Sequence, residues 1–194
     1  MRVLLLLFVT CFTVATQAAQ QEFHFKTSGS TGKPMDYYFS FEQLQISAQQ
    51  TIEAFELTSR DVLLCPFSMN YVAAKMMVAR AFFLGAQLVF VGPTANPLLV
   101  ALKEQITFGA FVPLQLQNIL DQKQSIEKLN TIKRSIIGGA QVSLKLENEI
   151  KQKVKSKLFH TYGMTETLTH VAIRKLGAND EQYRALRDVI FKTD

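Results

Sequence analysis

Tryptophan is absent from this chain, and cysteine, histidine and proline are scarce, with two, three and five residues among 194. The cysteines are Cys11, in an N-terminal apolar run, and Cys65, at the end of an apolar strand-like stretch. Both read as small hydrophobes rather than as a disulfide pair, so a disulfide-stapled scaffold is excluded. His24, His160 and His170 show no metal-ligand spacing and read as strand or pocket residues. Aromatic and basic residues are not interleaved and the net charge is a modest +5, so nucleic acid is not an expected partner. The basic run Lys145 to Lys157 alternates with Leu, Ile and Val, the pattern of a solvated face on an amphipathic helix.

At nearly half apolar and about a fifth charged, the remaining composition is that of a globular domain with a proper core, or part of a larger one. The N-terminus is set apart. Met1-Arg2 precedes an apolar run from Val3 to Ala15, then small residues at Thr16, Ala18 and Ala19. Residues 1–19 have the form of a secretory leader, and the run is too short for a membrane span. A misassigned start or a buried strand or helix are the other readings of that run.

After the leader, apolar runs alternate with amphipathic stretches. Strands are expected at Glu22–Lys26, Tyr37–Phe39, Asp61–Cys65, Gln87–Val91, Phe108–Val112, Ile132–Ile137 and Leu158–Tyr162, with one more at Thr169–Arg174. Helices are expected from Ser40 to about Glu56, with Ser40 and Gln43 as a capping box, and at Tyr71–Leu84 and Pro97–Gln105. Two more are expected at Pro113–Asp121 and at Ser143–Lys155, where Ser143 is the cap. This alternation predicts an α/β fold: a mostly parallel sheet with helices on both faces. Ligands in such sheets sit at the carboxyl ends of strands.

Three candidate site segments each follow an expected strand. TSGSTGKP, Thr27 to Pro34, combines glycines that turn amides toward an anion, hydroxyl donors and a lysine, which suits a polyphosphate. A flexible turn is its plainer reading. It is not a P-loop, because only two residues separate Gly29 from Gly32 and Pro34 follows Lys33. IIGGA, Ile136 to Ala140, is a strand running into a glycine turn. TYGMTET, Thr161 to Thr167, places a ring, a glycine, a hydroxyl and a carboxylate together, suited to a base, a phosphate and a metal ion.

In this order the three segments resemble those of the adenylate-forming superfamily of acyl-CoA synthetases, peptide-synthetase adenylation domains and luciferases. The likeness covers roughly Phe23 to Lys175. Leu63 to Ala81, Val91 to Leu98, Phe111 to Asn118 and Thr161 to Arg174 further resemble o-succinylbenzoate–CoA ligases. YVAAKMM is the most telling piece, since the superfamily usually has a histidine there. The resemblance implies a ligase that adenylates an acid with ATP and Mg2+ and then transfers it to coenzyme A. Thr27, Ser28, Gly29, Ser30, Thr31, Gly32 and Lys33 would hold the β- and γ-phosphates. Gly138, Gly139 and Ala140 would line the adenine and acyl sites. Within the adenine and magnesium motif Tyr162, Gly163, Met164, Thr165 and Glu166, Tyr162 would stack on adenine, Thr165 would contact the α-phosphate and Glu166 would bind magnesium.

Lys75 is the first candidate for a second carboxylate of the acid, with Arg80 after it. A lysine snorkelling from a helix is the structural alternative. Two departures stand out: Met35 replaces the superfamily's usual lysine, and its ribose-binding aspartate, hinge and lysine-bearing small domain would lie beyond Asp194. The expectation is therefore a partial large N-terminal domain over residues 22–194, with the small C-terminal domain absent. A cytoplasmic location follows from the resemblance and export from the leader. A truncated, non-enzymatic nucleotide-binding relic, and an adenylation domain for another acid, are the competing readings. The expected partner is a small carboxylic acid, and an oligomer is possible on this reading.

Overall fold

A computed structural model describes residues 22–26, 35–178 and 182–192. The leader at 1–19 and the phosphate-loop candidates Thr27 to Lys33 lie outside those residues. Nine strands and five α-helices occur among the described residues. An antiparallel hairpin pairs β1 (Glu22–Lys26) with β2 (Asp36–Ser40). The main sheet has the order β4-β3-β5-β6-β7-β8-β9. Its members are β3 (Val62–Cys65), β4 (Gln87–Phe90), β5 (Phe108–Phe111), β6 (Arg134–Ile137), β7 (Lys157–Gly163), β8 (His170–Lys175) and β9 (Arg184–Ala185). β4, β3, β5, β6 and β7 run parallel, so their carboxyl ends share one edge. β8 and β9 join antiparallel.

Successive strand residues point to opposite faces, and the sequence fills both with apolar side chains. Leu64, Phe111, Ile137 and Leu158 face α3 (Pro113–Leu120), α4 (Lys123–Thr131) and α5 (Leu144–Lys153), where Leu116, Ile119, Leu129 and Ile150 complete one core. Leu63, Cys65, Ala110 and Ile136 face α1 (Phe41–Ala54) and α2 (Val72–Leu84), meeting Ile52, Phe55, Met77 and Ala81. A third cluster seats the hairpin on α1 and α2 through Phe25, Phe39, Leu44, Ala48 and Met76. The expected capping box is present: Gln43 N donates to Ser40 Oγ at 3.2 Å, and Ser40 N donates to Gln43 Oε1 at 2.8 Å. Ser143 caps α5 by accepting from Leu146 N.

Three expectations need correction. The helix expected over Pro97–Gln105 is only a 3-10 turn at Pro97–Leu99. There the Asn96 side chain caps Leu98 N, Lys128 Nζ takes the Leu98 carbonyl at 2.7 Å, and Val100 turns extended. The helix α4 was not expected, because its buried side is narrow, with Ser125 and Leu129. Finally, the strand before the phosphate-loop segment, β1, pairs only with β2 and not with the parallel sheet. The strand-end rule therefore holds for IIGGA and TYGMTET, while TSGSTGKP lies outside the described residues.

Candidate functional site

The site is built from the carboxyl end of β6 outward. The Gly138 amide donates to the Phe111 carbonyl at 3.0 Å, continuing the β5–β6 ladder by one residue. Thr161 Oγ1 donates to the Ile137 carbonyl at 3.1 Å. A Cβ at position 138 would stand 2.7 Å from that hydroxyl oxygen, so only glycine leaves it in place. Gly139 then turns with φ +82°, a conformation that L side chains rarely adopt. On the ensuing Ala140, the carbonyl accepts from His160 Nε2 at 3.0 Å. The buried Gln115 braces the same edge. Its Nε2 donates to the Pro66 and Thr94 carbonyls after β3 and β4, and its Oε1 accepts from Val112 N after β5.

Beside this turn, Tyr162 ends β7 half exposed, meeting the rings of Tyr183 at 5.9 Å and Phe191 at 6.4 Å. Gly163 and an exposed Met164 follow, then a 3-10 turn at Thr165–Thr167. The Thr167 hydroxyl shapes this turn by accepting from Met164 N at 3.1 Å and donating to the Thr169 carbonyl at 2.7 Å. The exposed Glu166 carboxylate accepts from the Tyr37 hydroxyl at 3.0 Å. Tyr37 lies on β2, just after the 27–34 segment. β2 is thereby fastened beside Glu166, although Tyr37 and Glu166 lie 129 positions apart.

The two candidates for acid recognition differ sharply. Lys75 Nζ donates to the His24 carbonyl at 2.9 Å and lies over the Phe25 ring, so its ammonium is already engaged by the hairpin. Arg80 is 2 % exposed. Its NH2 group donates to Thr169 Oγ1 at 3.0 Å, its NH1 group approaches the Met77 sulfur, and Nε has no partner. Among the described residues no carboxylate pairs with it. Burial pulls its pKa down to about 10 and raises the neighbouring Cys65 thiol to about 11, so Cys65 is a neutral thiol and no counter-ion.

A directional relay fixes the arginine. Thr51 Oγ1 donates to the Ser47 carbonyl, so it must accept from His170 Nε2. His170 Nδ1 then accepts from Thr169 Oγ1, which leaves that oxygen free to accept from Arg80. Burial, with Arg80 nearby, holds His170 well below the usual imidazole range, so the ring is neutral as the relay requires.

A glycine turn and a half-exposed aromatic ring stand at parallel strand ends with a carboxylate alongside, and the chain that carries them has known relatives. The AMP-binding enzyme family model matches residues 24–188. The chain belongs to the AMP-binding enzyme family. It is 30% identical over 147 residues to a long-chain-fatty-acid–CoA ligase of Thermus thermophilus, a match covering 73% of this chain and 27% of that protein. Among solved structures it resembles an acyl-CoA synthetase (AMP-forming)/AMP-acid ligase II-like protein from Dyadobacter fermentans. The TM-score is 0.81 and the identity 33%, over 89% of this chain and 50% of that one. It shares its fold with the o-succinylbenzoate coenzyme A synthetase of Bacillus subtilis, solved with ATP and magnesium, at a TM-score of 0.69 and 22% identity over 78% and 32% of the two chains. The chain thus spans half or less of the length of these relatives.

Gly138 leaves the Thr161 hydroxyl in place, and the Tyr162 ring beside the turn is half exposed, a lining that admits a planar base. Among the described residues no cluster of three or more His, Cys, Asp or Glu is placed to hold a metal. Glu166 alone suits magnesium, which takes one or two carboxylates and completes its shell with phosphate oxygens and water. No helix among the described residues is long and apolar enough to cross a membrane. Sequence reasoning missed Gln115, Tyr183 and the ion pair of Arg174 with Glu147 at 2.8 and 3.1 Å. A proline-started helix with glutamine at its third position was the only signal for Gln115. Nothing in the sequence signalled the other two.

Proposed function

We propose that this chain carries the nucleotide- and acid-binding part of an AMP-forming acid–CoA ligase. The acid's carboxylate oxygen attacks the α-phosphorus of ATP, the bond to pyrophosphate breaks, and an acyl-adenylate forms. The coenzyme A thiol then attacks the acyl carbon, loses its proton, and AMP leaves. In this reading Tyr162 and the Gly138–Ala140 turn take the adenine, and Gly163 and Met164 shape the turn beside it. Thr165 meets the α-phosphate, and Thr27, Ser28, Gly29, Ser30, Thr31, Gly32 and Lys33 take the polyphosphate. Glu166 holds Mg2+, which neutralises phosphate charge when bound. Positioning and charge stabilisation are then the main work of the site. What carries the reading is the gathering of the glycine turn, Tyr162 and Glu166 at one sheet edge, with Tyr37 of β2 bonded to Glu166.

The acid we assign is a dianion, o-succinylbenzoate being the compound that the YVAAKMM segment suggests. Arg80 supports it and takes precedence over Lys75. A buried guanidinium without a counter-ion is costly, and an incoming carboxylate relieves that cost. The Thermus relative favours a second reading, a fatty acid with one carboxylate. Pyrophosphate release from ATP, measured with o-succinylbenzoate and with a long-chain fatty acid, separates the two. Nucleotide binding with no pyrophosphate released by either acid selects the non-enzymatic reading. Failure to bind ATP or AMP at all defeats the proposal.

A further inference from the structure

The two nitrogens of His160 are engaged by groups whose chemistry fixes its proton. A carbonyl only accepts, so Nε2 carries the hydrogen and donates to Ala140 O. Nδ1 is then an acceptor, and the Tyr183 hydroxyl donates to it at 2.5 Å. His160 stands opposite Ile137 in the β6–β7 register, two residues before Tyr162. Tyr183, just ahead of β9, also sets its ring edge-on to the Tyr162 ring. Arg174 covers Tyr183 at 5.8 Å and is itself held by Glu147. One side chain therefore secures both walls of the nucleotide slot: the glycine turn through His160, and the platform ring by contact.

We propose that Tyr183 and His160 are positioning residues that set the spacing between the Gly138–Ala140 turn and the Tyr162 ring, and so tune affinity for the base of the nucleotide. The proposal rests on the nucleotide-binding reading above. Neither residue touches the reacting atoms.

The test titrates the full chain with AMP and, separately, with inorganic pyrophosphate. The proteins are wild type, Tyr183→Phe, His160→Gln and His160→Phe. Tyr183→Phe keeps the ring contacts and removes one hydroxyl. AMP affinity is expected to fall about three- to tenfold, the worth of one hydrogen bond, with pyrophosphate affinity unchanged. His160→Gln, whose amide offers an N–H and an oxygen, should retain most of the affinity, and His160→Phe should lose at least as much as Tyr183→Phe.

A pH series distinguishes positioning from general structural support. Besides Tyr183 and the Ala140 carbonyl, the groups facing His160 are Arg174 from β8 and Glu147 from α5. Burial, with Arg174, holds the imidazole below its usual range against the Ala140 bond and Glu147. The hydroxyl favours the neutral ring, so its removal moves the acid limb of AMP binding to higher pH. Unchanged AMP affinity and an unmoved acid limb in Tyr183→Phe overturn the proposal while leaving nucleotide binding intact. Wild type that binds pyrophosphate but not AMP defeats the nucleotide reading and the proposal together. Should Tyr183→Phe fold poorly, the 15N resonances of His160 in wild type decide the matter: an Nδ1–H tautomer at neutral pH overturns it.

Discussion

Arg80→Met is expected to stabilise the unliganded protein and to abolish recognition of a dianionic acid. Pulling this guanidinium's pKa down from its ordinary value to about 10 corresponds to about 3 kcal/mol disfavouring the charged form in the fold. The group keeps its proton at any ordinary pH, so that cost is present in full near neutrality. Against it stands one good hydrogen bond from a charged donor, to Thr169, worth about 1.5–3 kcal/mol. Removing Arg80 strands nothing: Thr169 keeps His170 as its acceptor, and His170 keeps Thr51. Methionine is of similar length and would lie beside the Met77 sulfur, where an unbranched apolar side chain suits a buried position. The net expectation is a gain of up to about 1.5 kcal/mol, toward the low end of what is seen when buried ions give way to hydrophobic residues. At this chain length each kcal/mol moves Tm by roughly 2–4 °C.

Urea and thermal unfolding at pH 7 measure this directly, first without ligand and then with o-succinylbenzoate. Wild type should gain stability from the dianion and Arg80→Met should not. A loss of about 3–5 kcal/mol in the variant without ligand would refute the reasoning. That is the signature of breaking an existing buried pair, and it would mean that Arg80 already has a counter-ion and is no vacant anion site.

Asp61→Asn should cost about 1–3 kcal/mol at neutral pH, because the carboxylate accepts from Thr58 N, Thr58 Oγ1 and Thr107 Oγ1 at 2.8, 3.1 and 2.7 Å. Burial raises the pKa of Asp61, but these bonds outweigh it and hold the group below its ordinary 3.8. Its stabilising contribution is thus present above that value and lost as pH falls through the lower folded one, so the variant's stability should vary less with pH between 5 and 2. Gly163→Ala should cost about 2–4 kcal/mol, since the added carbon meets the Thr169 carbonyl and the His170 backbone, which cannot step aside. Gly85→Ala, with φ +66° and open space, should cost only about 1–2 kcal/mol, and thermal melts of the two give the order. Glu166→Gln keeps an acceptor for Tyr37 and removes the charge. ATP binding should lose its Mg2+ dependence while AMP affinity stays, as calorimetry with and without the metal would show.

How much of this was legible depended on whether a feature is local. The capping box of Ser40 and Gln43 lies within one helical turn, and it was read correctly from four letters. The parallel strands were legible because both faces are buried, which makes segments such as Val62–Cys65 and Phe108–Phe111 nearly continuous apolar runs. The segment after Pro97 carries a helical pattern, but contacts from elsewhere decide it: Lys128, thirty residues on, takes a carbonyl there. The hairpin was legible as a short strand into the glycine segment and a returning strand at Tyr37–Phe39, but nothing local says that the pair stands apart from the parallel sheet.

Lys75 and Arg80 show the same limit at the site. Five residues apart on one helix, they are equivalent cations in sequence, and charge matching with the place of Lys75 in YVAAKMM puts Lys75 first and Arg80 second. The fold gives Lys75 a carbonyl and an aromatic face, and leaves Arg80 buried with an unsatisfied nitrogen. The histidines make the point from the other side. Without ligand spacing, His160 and His170 looked like bland pocket residues. Each is instead held as the Nε2–H tautomer by the polarity of its partners, and together they bracket the stretch from Tyr162 to Thr169. The first ties that stretch to the glycine turn and the second ties it to Arg80. In the proposed reading the nucleotide end and the acid end of the site are therefore fixed by one short segment, through bonds whose donors and acceptors no spacing rule could have paired.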